Sequence, residues 1–302
     1  MSFDPDHLAA LSTILRHGSF EAAAAELLVT PSAVSQRIRT LEERVGASLI
    51  RRGQPCTATP TGARLAKHAE DITLLEAQLA RDLSLDSRPY PAQVRLAVNA
   101  DSLATWFVTA LANLPDLLVD LVIDDQDHSA DWLRDGTVSA AVTATGRPVQ
   151  GCDAVPLGTL RYAATASPAY LARWFPGGLS PESLSRAPCL VFSAKDRLQH
   201  RWMETNVPAS RRMSPPCHVL PSTHAFVDAA LAGVGWGMNP WTLVSDHIGA
   251  GRLAELRPGA LLDVPLSWQV SRIMAPALEP LTQAVRQAAT AGLHQPLKSR
   301  KE

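Results

Sequence analysis

The side chains best suited to chemistry lie on a short helix predicted between Thr30 and Leu41. Val34, Ile38 and Leu41 recur at helical spacing and form an apolar stripe that must face a core. The rest of its surface carries the polar side chains Ser32, Ser35, Gln36, Arg37 and Arg39. Such groups near a helix N-terminus suit base edges and phosphates in a DNA major groove. An ordinary amphipathic helix with a solvated face is the alternative, and this helix alone leaves both open.

The flanking sequence supplies the elements that would position this helix. Thr30 can cap it, and Pro31 suits the first helical position, where a missing N–H costs little. Ser19 can cap a preceding helix through Leu27, and Asp4-Pro5 signals the start of an earlier, supporting helix. Further on, residues 49–52 and 57–59 bracket a turn and read as a two-stranded wing. The pattern predicts a winged helix-turn-helix.

This segment resembles the N-terminal domain of LysR-type transcriptional regulators. The matching residues are Gly18-Ser19-Phe20, Ala23-Ala24, Leu27, Val29 to Ile38, Leu41-Glu42, Gly46, Leu49 to Arg52 and Thr61-Gly62. A second stretch, Val98 to Trp106, is similar to the ArgP/LysG branch, whose members sense lysine and arginine and switch on a basic-amino-acid exporter. The resemblance spans essentially the whole chain, closely through residue 62 and more loosely beyond about residue 160.

The resemblance implies how each polar residue would be used. Bases would be met by Pro31, Ser32, Ser35 and Gln36, and the phosphate backbone by Thr30, Arg37, Arg51 and Arg52, with Arg39 beside them. In the wing, Gln54 and Thr57 are neutral where relatives often carry arginine, which leaves Arg51 and Arg52 as the main backbone contacts. The implied partners are double-stranded operator DNA, a second copy in a homodimer, a tetramer of two dimers, and RNA polymerase.

Bulk properties limit the other function classes. The 302 residues carry a net charge of −1, so any attraction to DNA must be local. The 4 cysteines are far apart without a CxxC pair, which indicates reduced thiols rather than a disulfide framework or a metal site. We expect no cofactor. The sequence shows neither an export signal nor a membrane-length apolar run, so we expect a cytoplasmic protein.

Between residues 63 and 83 a long helix is predicted, because the stretch lacks glycine and proline. Leu65, Ile72 and Leu79 repeat every seven residues, which favours pairing with a partner chain. Packing on its own domain is the alternative. Ser84 to Pro91 would form a hinge. We therefore expect a DNA-binding domain at 1–62, a linker helix and hinge at 63–90, and an effector domain at 91–302.

Beyond the hinge, apolar strands alternate with helices, which predicts α/β subdomains on largely parallel strands. The predicted strands are 94–98, 119–123, 138–142, 162–165, 190–192, 219–220, 234–236 and 266–270, and the predicted helices are 103–113, 130–134, 197–204, 223–232 and 278–291. The resemblance implies two lobes around a cleft, as in periplasmic-type binding proteins. Lobe I would comprise 91–160 and 265–302, and lobe II 161–264, with the chain crossing near Leu160 and Pro265.

Candidate ligand-binding residues follow the predicted strands. Asp101-Ser102 would cap the next helix, whose free N–H groups could hold a carboxylate, although this signal taken alone favours a plain helix cap with no ligand. Asp124-Asp125 would pair with an ammonium, or form an exposed acidic turn. The remaining candidates around the cleft are Thr145, Ser193, Thr223, His224, Trp236 and Met238. This combination favours an amino acid, and the resemblance favours lysine or arginine.

Lys195 and His224 depart from the branch, because they stand where relatives tend to be acidic. If one of those acids binds the distal positive charge of the effector in the relatives, this chain lacks that contact. A different amino acid is then the alternative ligand. No catalytic motif stands out, and Gly233-Val-Gly235-Trp-Gly237 is better explained as a tight turn than as a dinucleotide loop. Two competing classes remain: a solute-binding or enzymatic α/β protein whose helix-turn-helix serves protein contact, and a DNA-binding protein that ignores small molecules.

Overall fold

The computed structural model describes residues 2–85, 92–112, 114, 117–124, 129–144, 146–210 and 213–295. Its helices are α1 (Pro5–His17), α2 (Phe20–Glu26), α3 (Pro31–Val45), α4 (Pro60–Asp82), α5 (Ala100–Ser102), α6 (Val108–Leu111), α7 (Ser129–Arg134), α8 (Pro168–Trp174), α9 (Pro181–Arg186), α10 (Leu198–Asn206), α11 (Thr223–Leu231), α12 (Trp241–Gly249) and α13 (Glu279–Gly292). Its strands are β1 (Ile50–Arg51), β2 (Thr57–Ala58), β3 (Ala92–Asn99), β4 (Leu117–Asp124), β5 (Ala140–Thr143), β6 (Cys152–Ala166), β7 (Cys189–Val191), β8 (Cys217–Val219), β9 (Gly237–Pro240), β10 (Ala254–Glu255) and β11 (Leu262–Ser271). A π-helical turn, Leu103–Phe107, joins α5 to α6. Among the described helices, none combines the length and apolarity needed to cross a membrane.

The N-terminal helices begin at the caps that the sequence predicts. The side chains of Asp4, Ser19 and Thr30 accept backbone N–H groups at the starts of α1, α2 and α3, so all three caps are confirmed. Their apolar faces, including Leu11, Ile14, Val34, Ile38 and Leu41, form one buried core. The antiparallel pair of β1 and β2 forms the predicted wing.

The helix α4 packs in two different environments along its length. It begins at Pro60, where the Thr59 side chain caps it, three residues earlier than predicted. Leu65 and Ala69 belong to the core of the helix-turn-helix, and Leu74 belongs to the core of the effector domain. The first half therefore packs on its own domain, as in the alternative interpretation. By contrast, Leu79 and Leu83 are 58% and 60% exposed.

A seven-stranded sheet runs through the effector domain in the order β10-β6-β11-β5-β3-β4, with β9 also paired to β6. β3 lies parallel to β4 and β5, and β7 lies parallel to β8. The pairs of β6 with β9, β10 and β11, and of β11 with β5, are antiparallel. The prediction of largely parallel strands is thus wrong for the centre of the domain, because two long strands carry the chain between the lobes in opposite directions.

The predicted crossing points near Leu160 and Pro265 lie on these two strands, β6 and β11. They run side by side from Cys152 to Tyr162, with Leu160 opposite Val264. Gly158 pairs with Leu266 while Pro156 pairs with Ser267, so a β-bulge interrupts the ladder at Leu157. The chain passes between the lobes on continuous sheet rather than on loops.

Several other predictions need correction. The strand expected at 234–236 lies at 237–240, because a turn at Gly233 comes first and Gly235 packs closely against Leu190. The helices α8, α9 and α12 are absent from the sequence-based prediction, as is the strand β10. Each of these helices is short, with 6 to 9 residues, and lacks a long apolar period. Most of the hinge predicted at 84–91 lies outside the described residues.

Candidate DNA interface and ligand cleft

The predicted recognition helix α3 presents its polar side chains to solvent. Pro31, Ser32, Gln36 and Arg39 are exposed, while Ser35 and Arg37 are partly exposed. In the wing, Arg51 and Arg52 are exposed as well. A surface of hydroxyl, amide and guanidinium groups on one helix, flanked by two arginines, can contact both base edges and phosphates.

Four of the predicted DNA-contacting residues already have intramolecular partners, among them Arg39, whose Nε lies 3.3 Å from a carboxylate oxygen of Glu43. The Thr30 hydroxyl accepts the N–H of Ala33 at 3.2 Å, so this side chain serves as the helix cap. Arg37 donates to the carboxylate of Asp6 at 2.7 Å, and Arg52 lies over the ring of Phe20. The Asp6 carboxylate therefore competes with a DNA phosphate for the Arg37 guanidinium.

A small cavity lies where lobe I faces lobe II. Its volume is about 30 Å³, room for no more than a few water molecules. Lobe I contributes the end of β3 and the start of α5, and lobe II contributes the loop after β7, the start of α11 and the strand β9. The lining residues are Asn99, Ala100, Asp101, Phe192, Asp196, Leu198, Thr223, Phe226, Met238 and Pro240. An amino acid can enter only if these walls separate.

Asn99 contributes an amide to the cavity wall. The residue is only 2% exposed, and within the described part of the chain neither its Oδ1 nor its Nδ2 has a hydrogen-bond partner. A buried polar group without a partner is costly, so its presence calls for an occupant. The amide can accept from an ammonium and donate to a carboxylate at the same time.

Asp101 joins the two lobes directly. Its Oδ1 accepts from the Thr223 hydroxyl at 2.6 Å, and its Oδ2 accepts from the Tyr162 hydroxyl at 2.7 Å. Thr223 begins α11 in lobe II, whereas Tyr162 lies on the crossing strand β6. A charged acceptor strengthens both bonds, so Asp101 holds the cleft closed.

Asp196 supplies a second carboxylate to the cavity, from the lobe II wall. It is 6% exposed and accepts from the N–H groups of Phe192 and Leu198 at 2.9 and 3.0 Å, and from the Gln199 amide at 3.2 Å. These neutral donors stabilise the charge without neutralising it. Among the described residues that line the cavity, Asp101 and Asp196 are acidic and none is basic, so the cleft favours a cationic ligand.

The structure brings only some of the predicted ligand-binding residues to the cavity wall. Asp101, Thr223 and Met238 line it. Asp101 does not cap the helix as expected: Asn99 occupies the cap position, and its side chain makes no capping bond. Ser102 is fully buried, and its hydroxyl has no partner among the described residues.

Other predicted residues lie away from the wall. Ser193 accepts from the Lys195 N–H instead, Trp236 is fully buried against Trp202, and His224 is exposed on α11. Lys195 is also exposed and does not line the cavity. Asp125, Thr145 and the side chain of Asp124 lie outside the described residues.

Sequence reasoning missed Asn99 and Asp196, the two most informative residues of the cleft. Asn99 directly precedes the Ala100-Asp101-Ser102 segment, so a polar residue at the end of an apolar strand was the available signal. Asp196 lies beside Lys195, and only the turn after β7 decides which of the two faces inward.

The chain matches two protein-family models. The LysR substrate binding domain matches residues 87–290, and the bacterial regulatory helix-turn-helix protein of the lysR family matches residues 5–63. The transcriptional regulator LysG of Mycobacterium tuberculosis is 40% identical over 294 residues, which cover 96% of this chain and 95% of that protein.

Solved structures agree with these matches. The crystal structure of ArgP from Mycobacterium tuberculosis is 39% identical, has a TM-score of 0.77, and aligns over 98% of this chain and 100% of that one. Full-length LysG from Corynebacterium glutamicum with bound effector Arg is 36% identical, has a TM-score of 0.63, and aligns over 97% and 100%. With the winged helix-turn-helix at one end and the two-lobed domain at the other, the chain belongs to the LysR family of DNA-binding transcriptional regulators.

Proposed function

We propose that this chain is a transcriptional regulator that senses a basic amino acid, arginine or lysine, in the cleft between its lobes. In this proposal residues 1–62 bind operator DNA, 63–90 link and dimerise, and 91–302 sense the effector. Differential affinity of the effector for two arrangements of the lobes would shift the population between them, and that shift would reach the DNA through α4. The regulated gene would encode an exporter of the sensed amino acid.

The buried amide of Asn99, which has no hydrogen-bond partner among the described residues, is the observation that best supports an amino acid as the ligand. This amide offers both a donor and an acceptor beside the Thr223 hydroxyl and the N-terminus of α11. A zwitterion uses both at once, whereas a simple organic acid uses only the donor. Asp196 and Asp101 favour the distal cation of arginine or lysine. The related LysG of known structure carries bound effector Arg, which supports the same ligand class.

Lys195 and His224 stand where relatives tend to be acidic, but this difference does not argue against a cationic ligand in the cavity. Both side chains are exposed and neither lines the cavity, so neither is placed to repel a cation inside it. The buried Asp196 stands next to Lys195 in the chain and supplies a negative charge. Met238 and Phe226 would contact the aliphatic stem of the ligand.

For operator binding, we assign bases to Pro31, Ser32, Ser35 and Gln36, and phosphates to Thr30, Arg37, Arg39, Arg51 and Arg52. Dimerisation would use the exposed part of α4, where Leu79 and Leu83 are open to solvent. A dimer, and a tetramer of two dimers, would place paired recognition helices on a palindromic site. RNA polymerase is the expected partner at the promoter, in the cytoplasm.

Calorimetry on the full chain tests the ligand assignment. We expect arginine or lysine to bind and glutamate not to bind. Asn99→Leu should weaken binding by at least about tenfold, because a bond to a charged group is worth about 1.5–3 kcal/mol. The same variant should be as stable as the parent or more stable, since it removes an unpartnered buried amide. Unchanged affinity in Asn99→Leu would contradict the proposed site.

Asn239→Leu is the matched control. Asn239 is also fully buried, but its amide donates to the Thr165 hydroxyl at 3.0 Å and it does not line the cavity. This variant should lose stability without a direct loss of ligand contact. The opposite signs of the two stability changes separate a ligand-binding amide from a structural one.

DNA binding is tested with sites selected from a random pool. Gln36→Ala should relax the preference at one base position at a cost of about 1–3 kcal/mol. Arg51→Ala should weaken all sites alike and reduce the salt dependence by about one unit. If both variants bind as the parent does, the DNA interface is elsewhere.

A further inference from the structure

Two cysteines lie side by side in lobe II, on the small parallel sheet of β7 and β8. Cys189 and Cys217 are direct register partners, followed by Leu190 opposite His218 and Val191 opposite Val219. The N–H of Cys189 donates to the Pro216 carbonyl at 2.8 Å, which fixes the register at this end. The pairing is therefore built into the sheet.

The geometry of adjacent strands suits a disulfide. Neighbouring strands lie about 4.7–4.9 Å apart, and disulfides join Cα atoms separated by about 4.4–6.8 Å. Register partners in a parallel pair also project from the same face of the sheet. Both thiols are free in this structure. Cys56 and Cys152 lie in other cores, one in the wing and one at the start of β6.

The two thiols have different environments. Cys217 is exposed on the edge strand β8, whereas Cys189 is 2% exposed beneath it. Burial raises the pKa of the Cys189 thiol to about 12, and the nearby Cys217 adds to that rise. Cys217 is therefore the thiol that an oxidant in solvent reaches first, and Cys189 is the thiol that resolves the product.

Each of the two strands leads directly into the ligand cleft. β7 runs into Phe192 and Asp196, and β8 runs through Leu220 to Thr223. The N–H of Leu220 donates to the Val191 carbonyl at 2.9 Å, so the strands stay together up to the cleft. A covalent link between the strands would restrain Asp196 and Thr223 relative to each other.

We propose that Cys189 and Cys217 form a reversible disulfide in the presence of a hydroperoxide, and that this bond restrains the lobe II wall of the cleft. The Cys217 thiolate attacks one peroxide oxygen, the O–O bond breaks, and hydroxide leaves to take a proton, which gives a sulfenic acid. The Cys189 sulfur then attacks the Cys217 sulfur, the S–O bond breaks, and the proton of the Cys189 thiol joins the departing hydroxide to form water. Two thiols lose two electrons in total, and hydrogen peroxide is reduced to two waters.

The consequence for sensing rests on the proposed function. An amino acid needs more room than the closed cavity offers, so the walls must separate to admit it. Both strands belong to lobe II, so a link between them leaves the lobes free to move but opposes any adjustment of Asp196 and Thr223 to the ligand within that wall. Oxidation should therefore weaken effector binding, by at least about fivefold if the coupling has the usual size.

The test treats the full chain with a small excess of hydrogen peroxide. Thiol titration in denaturant should fall from 4 to two, and peptide mapping without reductant should find the Cys189 and Cys217 peptides joined. The Tm of the effector domain should rise by about 7–14 °C, because the bond closes a loop of nearly thirty residues. Dithiothreitol should reverse both changes.

Cys217→Ser should abolish the joined peptide, and Cys152→Ser, the matched control, should retain it. Peroxide that yields only a sulfonic acid at Cys217, or a bond between two chains, would overturn the proposal. Equal arginine affinity in the oxidised and reduced forms would overturn its regulatory part. If the joined peptide forms but the reduced protein binds no basic amino acid, the disulfide stands and the proposed function fails.

Discussion

Removing the Tyr162 hydroxyl tests the latch that Asp101 forms between the lobes. Tyr162 is fully buried, and its hydroxyl donates to the Asp101 carboxylate at 2.7 Å. Tyr170 is also buried, but its hydroxyl donates to the neutral carbonyl of Pro188 at 2.5 Å. A bond to a charged group contributes about 1.5–3 kcal/mol, and a neutral one about 0.5–1.5 kcal/mol. Tyr162→Phe should therefore cost about twice as much as Tyr170→Phe.

Differential scanning calorimetry on the full chain measures the difference. For an effector domain of this size, each kcal/mol corresponds to about 2–4 °C in Tm. Tyr162→Phe should lower the Tm of that domain by about 3–12 °C, and Tyr170→Phe by about 1–6 °C. The two changes remove the same atom from the same residue type, so they share the loss of packing. Equal losses in the two variants would refute a charged latch at Asp101.

Three further predictions concern the DNA-binding domain. Gly62→Ala should destabilise it by about 3 kcal/mol or more in urea unfolding, because a Cβ would lie 1.9 Å from the Leu49 carbonyl oxygen. Leu28→Gly should stabilise it by about 1 kcal/mol, because Leu28 has a φ of 55° and is 91% exposed. Glu26→Gln should cost about 0.5–1 kcal/mol at neutral pH, since the ion pair with Arg16 lowers the pKa of Glu26. That cost should be present above the unfolded pKa of about 4.3 and vanish as pH falls through the lower folded value.

Matched variants check each of these predictions. Gly249→Ala adds a Cβ to a helical glycine with open space around it, so it should be neutral or stabilising. Ala25→Gly makes an exposed helical position glycine and should destabilise, opposite in sign to Leu28→Gly. If Gly62→Ala folds like the parent, the close contact with Leu49 is wrong. A cost of Glu26→Gln that persists unchanged to pH 3 would exclude the ion pair as its source.

Local signals allowed the DNA-binding domain to be predicted almost completely. Caps at Asp4, Ser19 and Thr30 act within a few residues, and the apolar stripe of α3 has a helical period. The wing follows from two short strands around a turn. The partners of Arg37 and Arg52 were not predictable in this way, because Asp6 and Phe20 are distant in sequence.

The ligand cleft shows why the rest could not be predicted. Its walls come from β3, the loop after β7, β9 and the starts of α5, α10 and α11, so its lining depends on how distant segments pack. Asp101 meets Thr223 across 122 positions of sequence, and no periodicity encodes that contact. In the turn after β7, Asp196 faces the cavity and Lys195 faces solvent. The backbone N–H groups of Phe192 and Leu198 hold the Asp196 carboxylate in that orientation.

The bulge lies on β6 and β11, the hydrogen-bonded strands that join the two lobes, so the connection between the lobes is elastic rather than loose. Gly158 has a φ of 127°, and an added Cβ there would lie 2.7 Å from the Gln295 amide and 3.0 Å from the His294 carbonyl. Movement of the lobes must bend a hydrogen-bonded ladder at this point, and a bent ladder stores free energy that depends little on the ligand. If the lobes move as proposed, the bulge would influence the concentration at which the regulator responds, while the cleft residues would determine which molecule it responds to. Threshold and selectivity can then be tuned by separate substitutions.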